Sequence, residues 1–205
     1  MNNLPLAKRA QILGLLVEGN SLRATSRLAD CSINTVTKLL VDVGTVCAEY
    51  QDKTLRNLKC KRIQCDEIWS FVYAKAKNAD PDMKAAGQAG DVWTWTAIDA
   101  DTKLIASWMI GDRSGETARI FVADLAQRLT NRVQLTTDGH RAYLDAVEGS
   151  FGKDIDYAVL VKIYGENKGS AAAPERRYRP AECCGTIKGA VCAVPRMTNT
   201  SPRAS

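Results

Sequence analysis

Two carboxylates occupy positions where an acid has chemical consequences. Asp66 falls inside an alternating stretch, Ile63 to Phe71, that reads as a β-strand. An ionised group there needs a hydrogen-bonding partner or a cation to be tolerated. Asp138 follows a short apolar stretch, Val133 to Thr137, and precedes Gly139. Carboxylate oxygens of this kind suit Mg2+ or Mn2+, hard cations that prefer oxygen ligands. A strand-interior Asp is more often a hydrogen-bonded edge residue than a ligand, so residue type alone leaves both roles open. His140 could touch a substrate phosphate or base, or hold the turn by a hydrogen bond. Glu67 cannot serve the same site as Asp66 directly, because neighbours on a strand point to opposite faces. Asp99 and Asp101 read as turn residues.

The elements that must position these acids follow from periodicity. Leu6, Ala10, Leu13, Leu16 and Val17 recur at helical spacing, and Pro5 suits a first helical turn. Glu18-Gly19-Asn20 breaks this helix, Ser21 caps a second one over Leu22 to Ala29, and Asp30-Cys31 makes a tight turn. Ser32 caps a third helix with Val36, Leu39, Leu40 and Val43 on its apolar face. Two helices across a tight turn, the second well capped, form a helix-turn-helix arrangement. Its DNA-facing residues would be Ser32, Asn34, Thr35 and Lys38, with Arg23 and Arg27 on the preceding helix reaching the backbone. The alternative is a small helical domain used for protein contacts.

Residues 51–61 are polar and read as a hinge. From Arg62 the period changes to two, and residues 74–90 read as a loop. Strands over Val92 to Ile98 and Leu104 to Ile110 flank hairpin chemistry at Asp99 to Lys103. A helix over Gly115 to Leu129, a strand over Val133 to Thr137, a short helix and a strand over Tyr157 to Ile163 complete the order. Consecutive strands followed by alternation with helices describe a mixed α/β sheet with helices packed on it. The segment 166–205 shows no sustained periodicity and reads as largely disordered.

Composition narrows the function classes. A chain of 205 residues holds one ordinary domain plus a small one. No apolar run approaches the ~20 residues that a membrane-spanning helix requires, so no membrane partner is expected. Seven cysteines without a Cys-x-x-Cys pair, beside a single histidine, leave few ligand sets for zinc and fit reduced thiols. Residues 1–63 hold ten Lys/Arg against five Asp/Glu, whereas residues 64–165 hold eleven against fifteen. A basic head on an acidic middle fits a nucleic-acid-binding module joined to something that holds cations.

Cys65-Asp66-Glu67-Ile68-Trp69-Ser70-Phe71-Val72 and Thr136-Thr137-Asp138-Gly139-His140-Arg141-Ala142-Tyr143 closely resemble two motifs of the insertion-sequence DDE transposases, specifically the insertion-sequence-one type. Asp91-Val92-Trp93-Thr94-Trp95 between them and Arg177-Tyr178-Arg179-Pro180-Ala181-Glu182-Cys183 after them are similar to that family too. The resemblance covers roughly residues 5 to 188, in motif order. It implies a small all-α helix-turn-helix domain over 1–50, a linker over 51–61 and a ribonuclease-H-like catalytic core over 62–165. In such a core the first and fourth strands lie side by side, which would bring Asp66 and Asp138 together as the first two acids of a metal-binding triad. The implied activity is DNA transposition: metal-dependent cutting of one strand, then attack of the freed 3′-hydroxyl on target DNA. The implied partner is double-stranded DNA, both transposon ends and target, with room for a homo-oligomer. The implied setting is the bacterial cytoplasm, at the nucleoid.

The resemblance also implies a third acid, a Glu on a helix after the fifth strand in a motif like Tyr-Val-Glu-Arg-Gln-Asn, and this motif is absent. Glu166, Glu175 and Glu182 are the only late acids, and none lies in a convincing helix. The codons permitted for Val194 to Ser205, read two bases later, allow Ser-Pro-Asp-Asp-Lys-His-Ile-Ser-Thr-Ser, which resembles the family segment before the catalytic Glu. The expectation is a frameshift between Lys188 and Val194, an out-of-frame tail and a catalytically impaired copy. The rival is a DNA-binding regulator or inhibitor of transposition that occupies transposon ends without cutting. Restoring the frame by a one- or two-base change should extend the chain through a Glu-containing helix and restore strand transfer. Equal strand transfer by the unaltered 205-residue chain would refute both the frameshift and the missing-acid reading.

Overall fold

The computed structural model describes residues 4–164 and 183–192. The chain divides after Leu55 into two units. The first is built from α1 (Leu6–Val17), α2 (Leu22–Leu28) and α3 (Ile33–Thr54). Both capping serines act as the sequence indicates. Ser21 Oγ accepts from the Ala24 N–H and Ser32 Oγ from the Asn34 N–H, each at 3.2 Å, satisfying donors that a helix start leaves free. Asp30 takes a positive φ of 43° in the turn between α2 and α3. Ile12, Ala29 and Val36 form the buried centre, one from each side of that turn and one from α1.

Two local expectations change here. Pro5 stands at the N-cap of α1 rather than inside its first turn. The helix α3 also runs four residues into the segment expected to be a hinge, because Gln51 to Thr54 carry no Gly or Pro and the ladder continues until Leu55.

The second unit is a mixed α/β structure around a six-stranded sheet in the order β3-β2-β1-β4-β5-β6. The strands are β1 (Arg62–Val72), β2 (Gly90–Asp99), β3 (Ile105–Gly111), β4 (Val133–Thr137), β5 (Ile155–Tyr164) and β6 (Cys183–Cys192). The helices are α4 (Pro81–Ala85), α5 (Gly115–Arg128) and α6 (Ala142–Phe151). Hairpin pairing makes β1–β2 and β2–β3 antiparallel, while β1–β4 and β4–β5 are parallel and β5–β6 antiparallel.

Strand alternation decides which side of the sheet is buried. Ile63, Cys65, Trp95, Ala97, Leu135 and Tyr157 pack against Phe121, Val122 and Leu125 of α5 and Tyr143, Ala146 and Val147 of α6. Intervening positions on the same strands, among them Gln64, Asp66 and Thr136, fall on the other side. Asp101 is a turn residue as expected, whereas Asp99 is the last residue of β2, paired with Ile63, and closes the turn through its side chain. Asp99 Oδ2 accepts from the Thr102 hydroxyl at 2.7 Å, and Asp101 pairs with Arg62.

The segments read as unstructured hold more order than periodicity indicates. Asp80 caps α4 within 74–90, its Oδ1 accepting from the Asp82 N–H at 2.9 Å. The strand β6 lies within 166–205; its two glycines and lack of an apolar alternation hide it, and its order comes from pairing along β5. The remainder of the expected disordered, out-of-frame tail, including Glu166, Glu175, Glu182 and Val194 to Ser205, lies outside the described residues. Among the described residues no helix is long and apolar enough to cross a membrane, and Cys31, Cys47, Cys60 and Cys65 are free thiols.

Phe121 is fully buried with its ring centroid 5.8 Å from that of Trp95. Phe121→Ala should lower unfolding free energy by about 3–5 kcal/mol, read from denaturant melts. A loss below about 0.5 kcal/mol, the scale of a surface change, would mean that α5 does not seal this face.

Candidate active site

Asp66 and Asp138 reach one place through the parallel pairing of β1 with β4. The register matches Arg62 with Gln134, Ile63 with Leu135 and Gln64 with Thr136. Two residues further along each strand stand Asp66 and Asp138, the latter just past the end of β4. Asp66 shares strand parity with Gln64 and faces away from α5 and α6. Both aspartates line one cleft of about 1040 Å³, together with Thr96, Arg113 and Arg141.

Each carboxylate is held by nearby backbone. Asp66 Oδ1 accepts from the Glu67 N–H at 2.9 Å, and its main-chain oxygen accepts from the Thr96 hydroxyl at 3.2 Å. Asp138 Oδ1 accepts from the His140 N–H at 2.9 Å. Its main-chain oxygen accepts from the Thr137 hydroxyl at 2.9 Å. Thr137 has thereby committed its proton, so in the 2.8 Å contact between Thr137 and the buried Tyr157 hydroxyl the tyrosine is the donor. Burial is the main reason that the Tyr157 hydroxyl lies above its ordinary pKa.

His140 lines the cleft, yet its ring is engaged in packing. The imidazole centroid lies 5.9 Å from that of Trp95 and 6.1 Å from that of Tyr143, and Nε2 is buried with no hydrogen-bond partner. The turn hydrogen bond is donated by the His140 backbone N–H rather than by its ring. In the first unit Arg23, Arg27, Ser32, Asn34 and Lys38 are exposed and Thr35 is half-buried. The Ser32 hydroxyl is already used as the α3 cap.

Sequence reasoning missed Arg113. Its Nε and Nη2 each lie 3.1 Å from Glu67 Oε2, and Nη2 lies 3.5 Å from Asp138 Oδ2. The guanidinium carbon also sits 4.8 Å from the Trp93 ring centroid. Arg113 occupies the turn from β3 into α5, and that turn is clamped. Asp112 Oδ1 accepts from the Ser114 hydroxyl at 2.6 Å and the Thr117 hydroxyl at 2.5 Å, while Trp95 Nε1 donates to the Asp112 main-chain oxygen at 2.9 Å. Ser114 meanwhile caps α5 by accepting from the Thr117 N–H. The available signal was Asp112-Arg113-Ser114 before an amphipathic helix, a capping pattern that says nothing of Glu67 or Asp138.

Glu67 faces the inner side, as alternation demands, and its side chain is 1% exposed. The buried Tyr143 hydroxyl lies close enough to this carboxylate to interact with it. Burial pushes Tyr143 far above its ordinary pKa, with Cys65 and Glu67 adding to the rise. Cys65 is likewise driven up by burial first, then by Glu67 and Asp66, which leaves it a thiol rather than a nucleophile.

The Asp66–Asp138 pair offers hard oxygen donors at one cleft, the chemistry that Mg2+ or Mn2+ requires. Among the described residues no group of three or more His, Cys, Asp and Glu could hold a metal ion. Such a pair, beside a cation at Arg113 and an open cleft, can organise phosphate chemistry.

No protein-family model matches the chain, and no curated protein does either. Among solved structures the chain is weakly similar to a cryo-EM structure of a piggyBac transposase synaptic complex with hairpin DNA. The TM-score is 0.35 and the identity 11%, over 80% of this chain and 33% of that one. The chain thus spans about a third of that protein's length.

The Ser114 and Thr117 hydroxyls hold Asp112 below its ordinary pKa. A lowered folded-state value stabilises the fold above the unfolded value, about 3.9, and this contribution disappears as pH falls through the lowered one. Asp112→Asn should therefore lower the urea midpoint at pH 7 and make the midpoint fall less steeply from about pH 4 to 2. Parallel acid profiles for the two proteins would show that the clamp does not depend on the carboxylate's charge.

Proposed function

We propose that the chain is a DNA transposase-like protein of an insertion sequence, of the insertion-sequence-one type, with a helix-turn-helix reader before a ribonuclease-H-like core. The observation that supports it most is the matched register of two parallel strands, which brings Asp66 and Asp138 to one cleft. In this reading both acids hold Mg2+ or Mn2+. When bound, such a cation supplies charge neutralisation at a phosphodiester and lowers the cost of making a nucleophile from water. The chain's own contribution is placement. The Glu67 and His140 amides fix one oxygen of each carboxylate, which leaves Asp66 Oδ2 for a ligand while Asp138 Oδ2 lies against Arg113.

The three-helix unit serves as the DNA module. Asn34 and Lys38 are exposed on the first turns of α3, where a recognition helix meets a groove. Asn34 would read a base edge and Lys38 a phosphate, with Arg23 and Arg27 on α2 at the backbone. Thr35 and Ser32 contribute less freely, being half-buried and engaged in capping. The lack in the sequence of a motif like Tyr-Val-Glu-Arg-Gln-Asn supports a catalytically impaired copy. The same shortage favours a second reading, a DNA-binding regulator that occupies transposon ends.

Fluorescence anisotropy with duplex DNA at rising salt tests both. Binding should weaken strongly as salt rises, because neutralised phosphates release counterions. Lys38→Ala should weaken binding to all sequences, while Asn34→Ala should chiefly relax preference at one base position. Salt-independent binding, or none at low salt, would remove the reader. Slow Mn2+-dependent strand cleavage that Asp66→Asn abolishes would favour the impaired transposase, whereas tight binding with no cleavage would favour the regulator.

A further inference from the structure

Glu67 is the acid that alternation sends away from the cleft, and yet it is joined to the cleft through one guanidinium. We propose that Arg113 is a positioning residue for Asp138, holding that carboxylate in the cation-free chain and competing with a cation for it. Glu67 sets the strength of the competition from the opposite face of the sheet. The inference rests on the reading of Asp66 and Asp138 as a cation site.

The geometry makes this link where the sheet permits it. Pairing between β1 and β4 stops at Gln64–Thr136, whereas β1 continues to Val72. Beside Glu67, therefore, no β4 residue continues the ladder. Arg113 meets the inner-face acid and the cleft acid at once. The two contacts are unequal: two nitrogens at 3.1 Å from Glu67 Oε2, against one at 3.5 Å from Asp138 Oδ2. Glu67 thus takes the larger share of the guanidinium. Trp93, 4.8 Å away, supports the guanidinium from its side.

Residue type fits this division. A planar guanidinium with five N–H donors can serve two acids from fixed positions, whereas an ammonium on a flexible stem holds no such fork. Glu67, with its side chain almost wholly buried, would be an uncompensated buried charge without this partner. The pairing with Glu67 thus keeps Arg113 in place, and the residual contact reaches Asp138. A cation on Asp138 would stand close to that guanidinium and be repelled by it. Withdrawing the positive charge should tighten cation binding. Withdrawing the Glu67 charge should release Arg113 toward Asp138 and weaken it.

Mn2+ affinity of the full 205-residue chain, measured by the electron paramagnetic resonance of free Mn2+ without DNA, tests this directly. Arg113→Gln should tighten Mn2+ binding roughly fivefold, the upper end of what a solvent-screened ion pair contributes. Glu67→Gln should weaken it by a similar factor. The double variant should bind as tightly as Arg113→Gln alone, a non-additivity that a merely structural role does not produce. Because Arg113→Gln leaves Glu67 buried and unpaired and can fail to fold, the double variant, which removes both charges, carries the test in that case. Arg113→Lys keeps the charge and should not tighten binding. Loss of Mn2+ affinity in Asp138→Asn with no gain in Arg113→Gln or the double variant overturns the coupling alone. Unchanged Mn2+ affinity in Asp138→Asn overturns the site reading, and the coupling with it.

Discussion

The short parallel pairing of β1 with β4 is the constraint on which the rest depends. Three matched positions, ending at Gln64–Thr136, fix the register of the two strands. A slip of one residue would turn every β4 side chain to the other face. Leu135 and Val133 are buried and Gln134 is exposed, so the apolar core penalises that slip. The same penalty brings Asp138 and Asp66 to one cleft. The acids are thus positioned by hydrophobic residues that they never touch.

Around that pairing the structure spends polar contacts on the ends of strands rather than their middles. Tyr157 and Thr137 form a buried hydroxyl pair beneath Asp138, and Trp95 anchors the Asp112 turn from within the core. A buried hydroxyl needs a partner, so these bonds also restrict where the loop backbone lies. The Glu67 carboxylate and the Tyr143 hydroxyl are buried close together, and His140 Nε2 breaks the pattern, being buried without a hydrogen-bond partner. An interior of this kind is costly unless polar groups reach one another. Arg113 meets part of that cost by pairing with Glu67 Oε2.

Much of this was legible in residue order. Alternation from Ile63 onward and the bounds Val133 to Thr137 anticipate β1 and β4, because each strand has one buried face with period two. Ser21 and Ser32 mark helix starts through a local hydrogen bond that sequence spacing can express. Alternation gives the face of Asp66 but not its neighbour, so its meeting with Asp138 came only from the strand order that family resemblance implied. Where order arises from non-local pairing, periodicity was silent. The glycine-bearing β6 depends on β5, and the extension of α3 depends only on the absence of a breaker. Arg113 was hidden for a related reason: it lies in a turn, and both acids that it meets are distant in sequence. Glu67 was assigned to the correct face, but alternation does not reveal a third residue that reaches both faces past a strand end.

The measurement that tests the central claim most directly is the position of Mn2+ in crystals of the chain, located by anomalous scattering. The account predicts a peak between Asp66 and Asp138 with an oxygen of each at about 2.1 Å, the range of a small hard divalent cation. The peak should vanish in Asp66→Asn crystals grown alike. No peak at this cleft, or one coordinated by other residues while both aspartates stay clear of it, would contradict the assignment of these two acids as a shared cation site.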